Sequence, residues 1–235
     1  MTIGFLDSGI GGLTVLSEAL RAFPHQDYRY YGDSDNAPYG SKSAEEVKAL
    51  IFRAVDFLVT QGIDALVLAC HTATRLVKDE LKQKYDFPII GMETGLNVAN
   101  GQSDIERKVL FCATDLSTEL MRQQYLKAGQ LNGCTKVDFL SLQELIVFAE
   151  KSELKNEAVS DYLSQRLEDY NWIDYQALVL GCTHFPFFYQ VIRQMLPPHV
   201  QLADGGKATI QQLITEIPNI IDNSNSEKQK GTGYF

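Results

Sequence analysis

Two periods of apolar and polar positions alternate along the chain. Short apolar runs bounded by turn residues predict strands at residues 3–6, 28–31, 65–69 and 88–92. Between them, apolar residues recur at helical spacing over 12–22, 43–60 and 74–85. Strand followed by helix, repeated, predicts parallel strands covered by helices on both faces. The second half repeats the pattern, with strands expected at 108–112, 136–140, 177–180 and 200–202 and helices at 117–128, 154–170 and 187–195.

The repetition extends to wording. ALVLACHTAT at 65–74 echoes ALVLGCTHFP at 177–186, each an apolar run ending in a cysteine and followed by small polar residues. Cys70 and Cys182 stand 112 positions apart, and IGFLD against VLFCA gives a similar spacing of 106. Near-constant offsets between separate strands are what an internal duplication leaves behind. The expected fold class is therefore α/β, with two similar lobes, each a mainly parallel sheet flanked by helices. A pseudo-two-fold would relate the lobes and place the active site between them. Lobe one spans 1–95 plus 205–235, and lobe two spans 96–204, with a polar linker near 95–107. The segment 222–235, without periodicity, is expected to be mobile. The acidic stretch 144–157 is expected to be a solvated helix face.

Composition narrows the function classes. In 235 residues, 21 Lys and Arg against 30 Asp and Glu give a net charge of −9, which disfavours direct nucleic-acid binding. The longest apolar run inside an element, 65–70, is far short of the ~20 residues a membrane helix needs. No basic segment precedes an apolar one at the N-terminus, so a cytoplasmic protein is expected. Four cysteines without a CxxC, and four histidines without zinc-ligand spacing, point away from a disulfide scaffold or a closed metal site. Cys112 and Cys134 read as small buried hydrophobes, His25 and His199 as surface residues, and Tyr28, Tyr30 and Tyr31 as strand packing.

The remaining polar residues sit where chemistry belongs in a parallel sheet, beyond the carboxyl ends of strands. Asp7-Ser8 ends the first strand, Asp33-Ser34 the second, Cys70 the third, and Cys182-Thr183-His184 ends its counterpart in the second half. A two-fold pairing of the lobes would set the two thiols on opposite walls of a cleft. That arrangement suits removal of a proton from one face of a carbon and its return to the other. A free thiol has a pKa of about 8.5, so each needs help at neutral pH. Asp7 is placed to assist Cys70, though it reads equally well as a cap for the helix near Gly12. His184 is placed to assist Cys182. Ser8, Thr72, Thr114, Ser117 and Thr183, with N–H groups at helix starts, can hold a carboxylate. DSGIGG at 7–12 lacks the spacing of a dinucleotide fingerprint.

LDSGIGGLTV (6–15), YYGDSDNAPYG (30–40), LVLACHTAT (66–74) and LGCTHFP (180–186) resemble the cofactor-independent glutamate racemases of the aspartate/glutamate racemase group. The resemblance runs in order from residue 3 to about 215. It implies two α/β lobes clasping glutamate and interconversion of its enantiomers without pyridoxal phosphate, another cofactor or metal. A supply of D-glutamate for peptidoglycan and a homodimer are implied as well, while the acidic charge and short apolar runs give the expectation of no direct nucleic-acid partner and no membrane partner. Carried over residue by residue, Cys70 and Cys182 match the catalytic cysteines, Asp7 and His184 their assistants, and Glu150 a supporting carboxylate whose surrounding motif is poorly kept. Ser8, Tyr39, Gly40, Thr72 and Thr183 match substrate-binding positions, and Thr114 and Ser117 fall in the segment where the family reads GTxxT.

Three departures stand out. His71 occupies the place of the family's substrate-holding Asn, Ala113-Thr114 replaces GT, and DGG at 204–206 replaces DSG. The chain also stops at GTGYF, where relatives commonly continue for tens of residues. A bulkier, ionisable group at position 71 is expected to affect substrate fit, rate or pH dependence. Two alternatives follow: a racemase for aspartate or another amino acid, and a non-catalytic homologue acting as a binding or regulatory protein, since some such racemases are associated with inhibition of DNA gyrase.

Overall fold

The computed structural model describes residues 1–99, 107–155, 157–218 and 231–235. The chain divides into two compact units, Met1–Glu93 with Gly206–Phe235, and Thr94–Gly205. Of the linker expected at 95–107, residues 100–106 lie outside the described residues.

The first unit is a parallel sheet of β1 (Thr2–Asp7), β2 (Asp27–Gly32), β3 (Ala65–Leu68), β4 (Ile89–Gly91) and β9 (Gly231–Tyr234), in the order β4-β3-β1-β2-β9. Its helices are α1 (Leu13–Ala22), α2 (Ala44–Thr60), α3 (His71–Lys84) and α9 (Gly206–Glu216). Side chains alternate across each strand, so the sheet needs cover on both faces. Leu6, Leu66 and Leu68 pack with Val47 and Ile51 of α2 and Val77 and Leu81 of α3. Ile3, Phe5 and Val67 pack with Val15 and Ala19 of α1 and Ile210 and Leu213 of α9. A capping box starts α2: the Ser43 hydroxyl accepts from Glu46 N, and the Glu46 carboxylate accepts from Ser43 N.

The second unit contains β5 (Lys108–Ala113), β6 (Val137–Ser141), β7 (Tyr175–Leu180) and β8 (Gln201–Asp204), all parallel, in the order β6-β5-β7-β8. Its helices are α4 (Leu96–Ala99), α5 (Asp115–Ala128), α6 (Glu144–Glu150), α7 (Glu157–Leu167) and α8 (Tyr189–Met195). Leu110, Leu178 and Leu180 pack with α6, α7 and α8, while Val109, Phe111 and Val179 face α4 and α5.

The duplication inferred from the sequence is visible in the topology. Read from its other edge, the second sheet is β8-β7-β5-β6, matching β4-β3-β1-β2 strand for strand. The ladders agree in register: Ile3 pairs with Ala65 in one unit, and Val109 with Ala177 in the other. Consequently Leu66, Leu68 and Cys70 share one side of the first sheet, as Leu178, Leu180 and Cys182 share one side of the second.

Several expectations need correction. The segment 222–235 is not wholly irregular: Gly231–Tyr234 add a parallel strand beside β2, anchored where the Tyr234 hydroxyl donates to Gln61 Oε1 at 2.8 Å. Backbone pairing at a sheet edge needs no apolar periodicity, which is why GTGY gave no signal. Residues 222–230 lie outside the described residues. The stretch 144–157 is not one solvated face, because α6 buries Leu145, Ile146 and Ala149 and ends at Glu150. Helix α3 starts at His71, three residues before expectation, since Cys70 is already its N-cap. The 187–195 segment opens as a 3-10 turn, Phe185–Phe188, before α8. The N-cap of α1 is Gly12 and not Asp7, whose Oδ2 accepts from Gly9 N at 3.1 Å.

Candidate functional site

In the first unit, the ends of β1, β2 and β3 gather the predicted residues. Asp7 is fully buried, and Ser8 beside it is nearly so. The approach is tight: a Cβ on Gly12 would stand 2.7 Å from Asp7 Cβ, so glycine lets the start of α1 close over the end of β1. Cys70 is buried in extended conformation at the N-cap of α3, with Thr72 one residue into the first turn. Tyr39 and Gly40 lie in a buried 3-10 turn.

Asp33 is the residue of this group that the sequence left without a role. Its Oδ2 accepts from the Tyr39 hydroxyl at 2.6 Å and its Oδ1 from Asn36 Nδ2 at 2.8 Å. Its N–H donates to the Asp7 carbonyl at 3.1 Å, tying the ends of β1 and β2 together. The available signal was positional, since Asp33 ends β2 as Asp7 ends β1. Burial and the Asp33 carboxylate push the Tyr39 hydroxyl far above the ordinary phenol range, with Cys70 and Asp7 adding in the same direction. Tyr39 therefore keeps its proton, and the side chains of Asp33, Cys70 and Asp7 share its electrostatic neighbourhood.

His71 is 6% exposed, and its Nε2 stands 3.1 Å from the Glu93 carbonyl. A carbonyl only accepts, so Nε2 carries the hydrogen. Nδ1 has no hydrogen-bond partner. Burial, then the Arg75 guanidinium, lower the His71 pKa to about 4, opposed by the Glu93 bond. At neutral pH this imidazole is uncharged.

In the second unit, three groups stand in line. Cys182 Sγ is 3.7 Å from His184 Nδ1, and His184 Nε2 is 2.6 Å from Glu150 Oε1. The imidazole is 1% exposed, whereas the carboxylate is one-fifth exposed. Glu150 accepts from Nε2–H, which leaves Nδ1 as the acceptor facing the thiol. A carboxylate–imidazole–thiol line is a proton-transfer device: the ring takes the thiol proton, and the carboxylate stabilises the imidazolium that results. Gly181 sets Cys182 in place, because a Cβ there would fall 2.2 Å from the Phe111 ring. Thr183 is buried beside it. At the start of α5, Thr114 caps the helix by accepting from Ser117 N at 3.2 Å, and both are buried.

Cys112 and Cys134 are buried free thiols, and burial pushes both above the ordinary thiol range, as small hydrophobes require. His25 and His199 are exposed. Among the described residues, no cluster of three or more His, Cys, Asp or Glu is placed to hold a metal ion. Nor is any helix long and apolar enough to cross a membrane.

Comparison with known proteins agrees with this chemistry. Glutamate racemase of Halothermothrix orenii is 42% identical over 213 residues, covering 91% of this chain and 83% of that protein. Glutamate racemase 2 of Bacillus subtilis is 41% identical over 214 residues, covering 91% and 80%. Among solved structures, glutamate racemase isoform RacE1 from Bacillus anthracis superposes with a TM-score of 0.83 at 28% identity, covering 99% of this chain and 88% of that one. Glutamate racemase from Campylobacter jejuni gives 0.82 at 26%, covering 100% and 93%. A family model described as Asp/Glu/Hydantoin racemase matches residues 8–213, a span holding both strand-end cysteines, His184 and Glu150, and the chain belongs to that family.

Proposed function

We propose that the protein is a cytoplasmic, homodimeric glutamate racemase that interconverts L- and D-glutamate and supplies the D-enantiomer for peptidoglycan. The observation that carries the reading is the equivalence of Cys70 and Cys182. Each follows the β-strand next to the central strand of its unit, on the same phase of the sheet, in two units of matching strand order. Relatives named glutamate racemase at about 40% identity support the choice of substrate.

In the proposed reaction, one cysteine acts as thiolate and takes the α-proton, forming an S–H bond as the C–H bond breaks. The electron pair stays on the α-carbon until the other cysteine's thiol gives its proton to the opposite face. One thiolate and one thiol enter and leave the cycle, so the roles reverse with substrate direction. His184, backed by Glu150, holds or returns the proton of Cys182, and Asp7 serves Cys70. The carbanion-like transition state needs electrostatic stabilisation. N–H groups at the starts of α3 and α5, with Ser8, Thr72, Thr114, Ser117 and Thr183, are the donors proposed to hold the carboxylates. Tyr39 and Gly40 complete the binding set.

The test is deuterium uptake at the α-carbon of L-glutamate in D2O, with circular dichroism following racemisation. Uptake with racemisation is expected, with racemisation lost in Cys70→Ala and in Cys182→Ala. A Cys70→Ala protein that racemises at the normal rate would sink the mechanism.

A further inference from the structure

Tyr30 packs in the first sheet as a strand residue, but its hydroxyl has a second task. The residue is 3% exposed, and the hydroxyl donates to the Gly9 carbonyl at 2.7 Å. Gly9 lies two residues beyond Asp7, in the loop between the end of β1 and α1. Its own N–H donates to Asp7 Oδ2 at 3.1 Å. Gly9 is therefore held on both sides, its carbonyl by the sheet and its N–H by the carboxylate proposed to serve Cys70.

The residues of β2 create this grip. In the parallel ladder Phe5 stands beside Tyr30 and Asp7 beside Gly32. Side chains alternate along a strand, so these four positions share one face of the sheet. With no side chain at Gly32, the Gly9 carbonyl settles over the end of β2, where a Cβ on Gly32 would fall 2.5 Å from its oxygen. The phenol one step back along the same face reaches that oxygen. Gly12 brings the far end of the loop onto the same atoms, since a Cβ there would meet Asp7 Cβ at 2.7 Å and Tyr30 Oη at 2.9 Å. The loop is thus seated on a hydroxyl and a carboxylate joined through one residue. Proton transfer is steep in geometry, so a shift of the Gly9 peptide reaches the chemistry through Asp7.

We propose that Tyr30 is a positioning residue for proton transfer at Cys70, acting through Gly9 on the Asp7 carboxylate. The assignment rests on the racemase reading, in which Asp7 serves Cys70, and adds the hydroxyl that stands behind it.

The experiment compares Tyr30→Phe, which keeps the ring and removes the hydroxyl, with Asp7→Asn and Glu150→Gln, on L- and D-glutamate with hydrogen or deuterium at the α-carbon. In Tyr30→Phe, kcat/KM is expected to fall about tenfold, equally for both enantiomers. Slower transfer at Cys70 makes that step more rate-limiting. The deuterium effect on kcat/KM should therefore rise for the enantiomer whose α-proton Cys70 removes and fall for the other. Asp7→Asn should move this pair of isotope effects in the same sense, and Glu150→Gln, which acts on Cys182, in the opposite sense. Added to Asp7→Asn, Tyr30→Phe should cost less than about twofold more, because the charge it positions is already gone. Gly32→Ala pushes the Gly9 carbonyl off its seat with the phenol intact, and should reproduce the isotope shift even where Tyr30→Phe fails to fold. A merely structural role lowers activity without moving the pair. An unmoved pair, a kcat/KM within about twofold of wild type, or a further loss of about tenfold on top of Asp7→Asn would each overturn the assignment. Wild-type protein that leaves glutamate unturned would overturn the racemase reading itself, a different result from these.

Discussion

Glu150 Oε1 lies 2.6 Å from His184 Nε2, and the opposite nitrogen of the same ring lies 3.7 Å from Cys182 Sγ. The carboxylate fixes which ring nitrogen faces the thiol, so its charge and geometry act on a proton it never touches. Glu150→Gln keeps the shape and removes the charge that stabilises the imidazolium. The expected outcome is a fall in kcat of about 100-fold with a folded protein. Enantiomers have equal free energy, so kcat/KM must fall equally in both directions. Initial rates from each enantiomer check this, and an unchanged kcat would remove Glu150 from the relay.

Gly181 makes a second, independent prediction about Cys182. Adding a methyl group drives it to 2.2 Å from Phe111 Cζ, a rigid ring packed in the sheet core. Gly181→Ala should destabilise the protein by about 1–3 kcal/mol and displace the adjoining thiol, lowering activity as well. Shortening the obstacle in Gly181→Ala/Phe111→Leu should restore much of both. Thermal unfolding and racemase assays on the single and double variants test the coupling. Additive losses would show that Phe111 is not the obstacle.

Much of this was legible in the sequence because period and repetition are strong signals. Alternating apolar runs located eight of the nine strands among the described residues, and ALVLACHTAT against ALVLGCTHFP exposed the duplication that strand order and register bear out. The contact between His184 and Glu150 was not legible from spacing, since 34 residues separate them and only packing of α6 beneath the turn after β7 brings them together. Glu150 entered through family resemblance alone, while the acidic look of its surroundings suggested a solvated face. Asp33 was noted as a strand end, but its bond to Tyr39 depends on a turn whose shape has no periodic signature. Strand β9 was missed because it is held by edge pairing and by the Tyr234–Gln61 bond rather than by a patterned apolar face.

Tyr39 and Asp33 predict a stability effect in the first unit. The phenol is 1% exposed and donates to a buried carboxylate at 2.6 Å. Tyr39→Phe keeps the ring but leaves Asp33 with one donor fewer. A loss of about 2 kcal/mol is expected, or about 4–8 °C in Tm for a chain of this size. Differential scanning calorimetry on wild type and variant reads this directly. A Tm within 1–2 °C (about 0.5 kcal/mol) of wild type would mean that Asp33 finds a replacement donor.

His71 predicts a dependence of stability on pH whose sign follows from its neutrality. The unfolded imidazole titrates near 6.5 and the folded one at about 4. Between those values the unfolded chain binds more protons than the native one, so acidification favours unfolding. The contribution of His71 is fully present above pH 6.5 and is lost as pH falls through 4. Its size over that window is about 3 kcal/mol. His71→Asn, which has nothing to titrate there, should lack this loss. Urea denaturation at pH 7, 5 and 4 should therefore show wild type losing about 3 kcal/mol more than His71→Asn on going from neutral to acid. Parallel curves for the two proteins would mean that His71 is protonated in the native state, and the uncharged acceptor at the start of α3 would have to be abandoned.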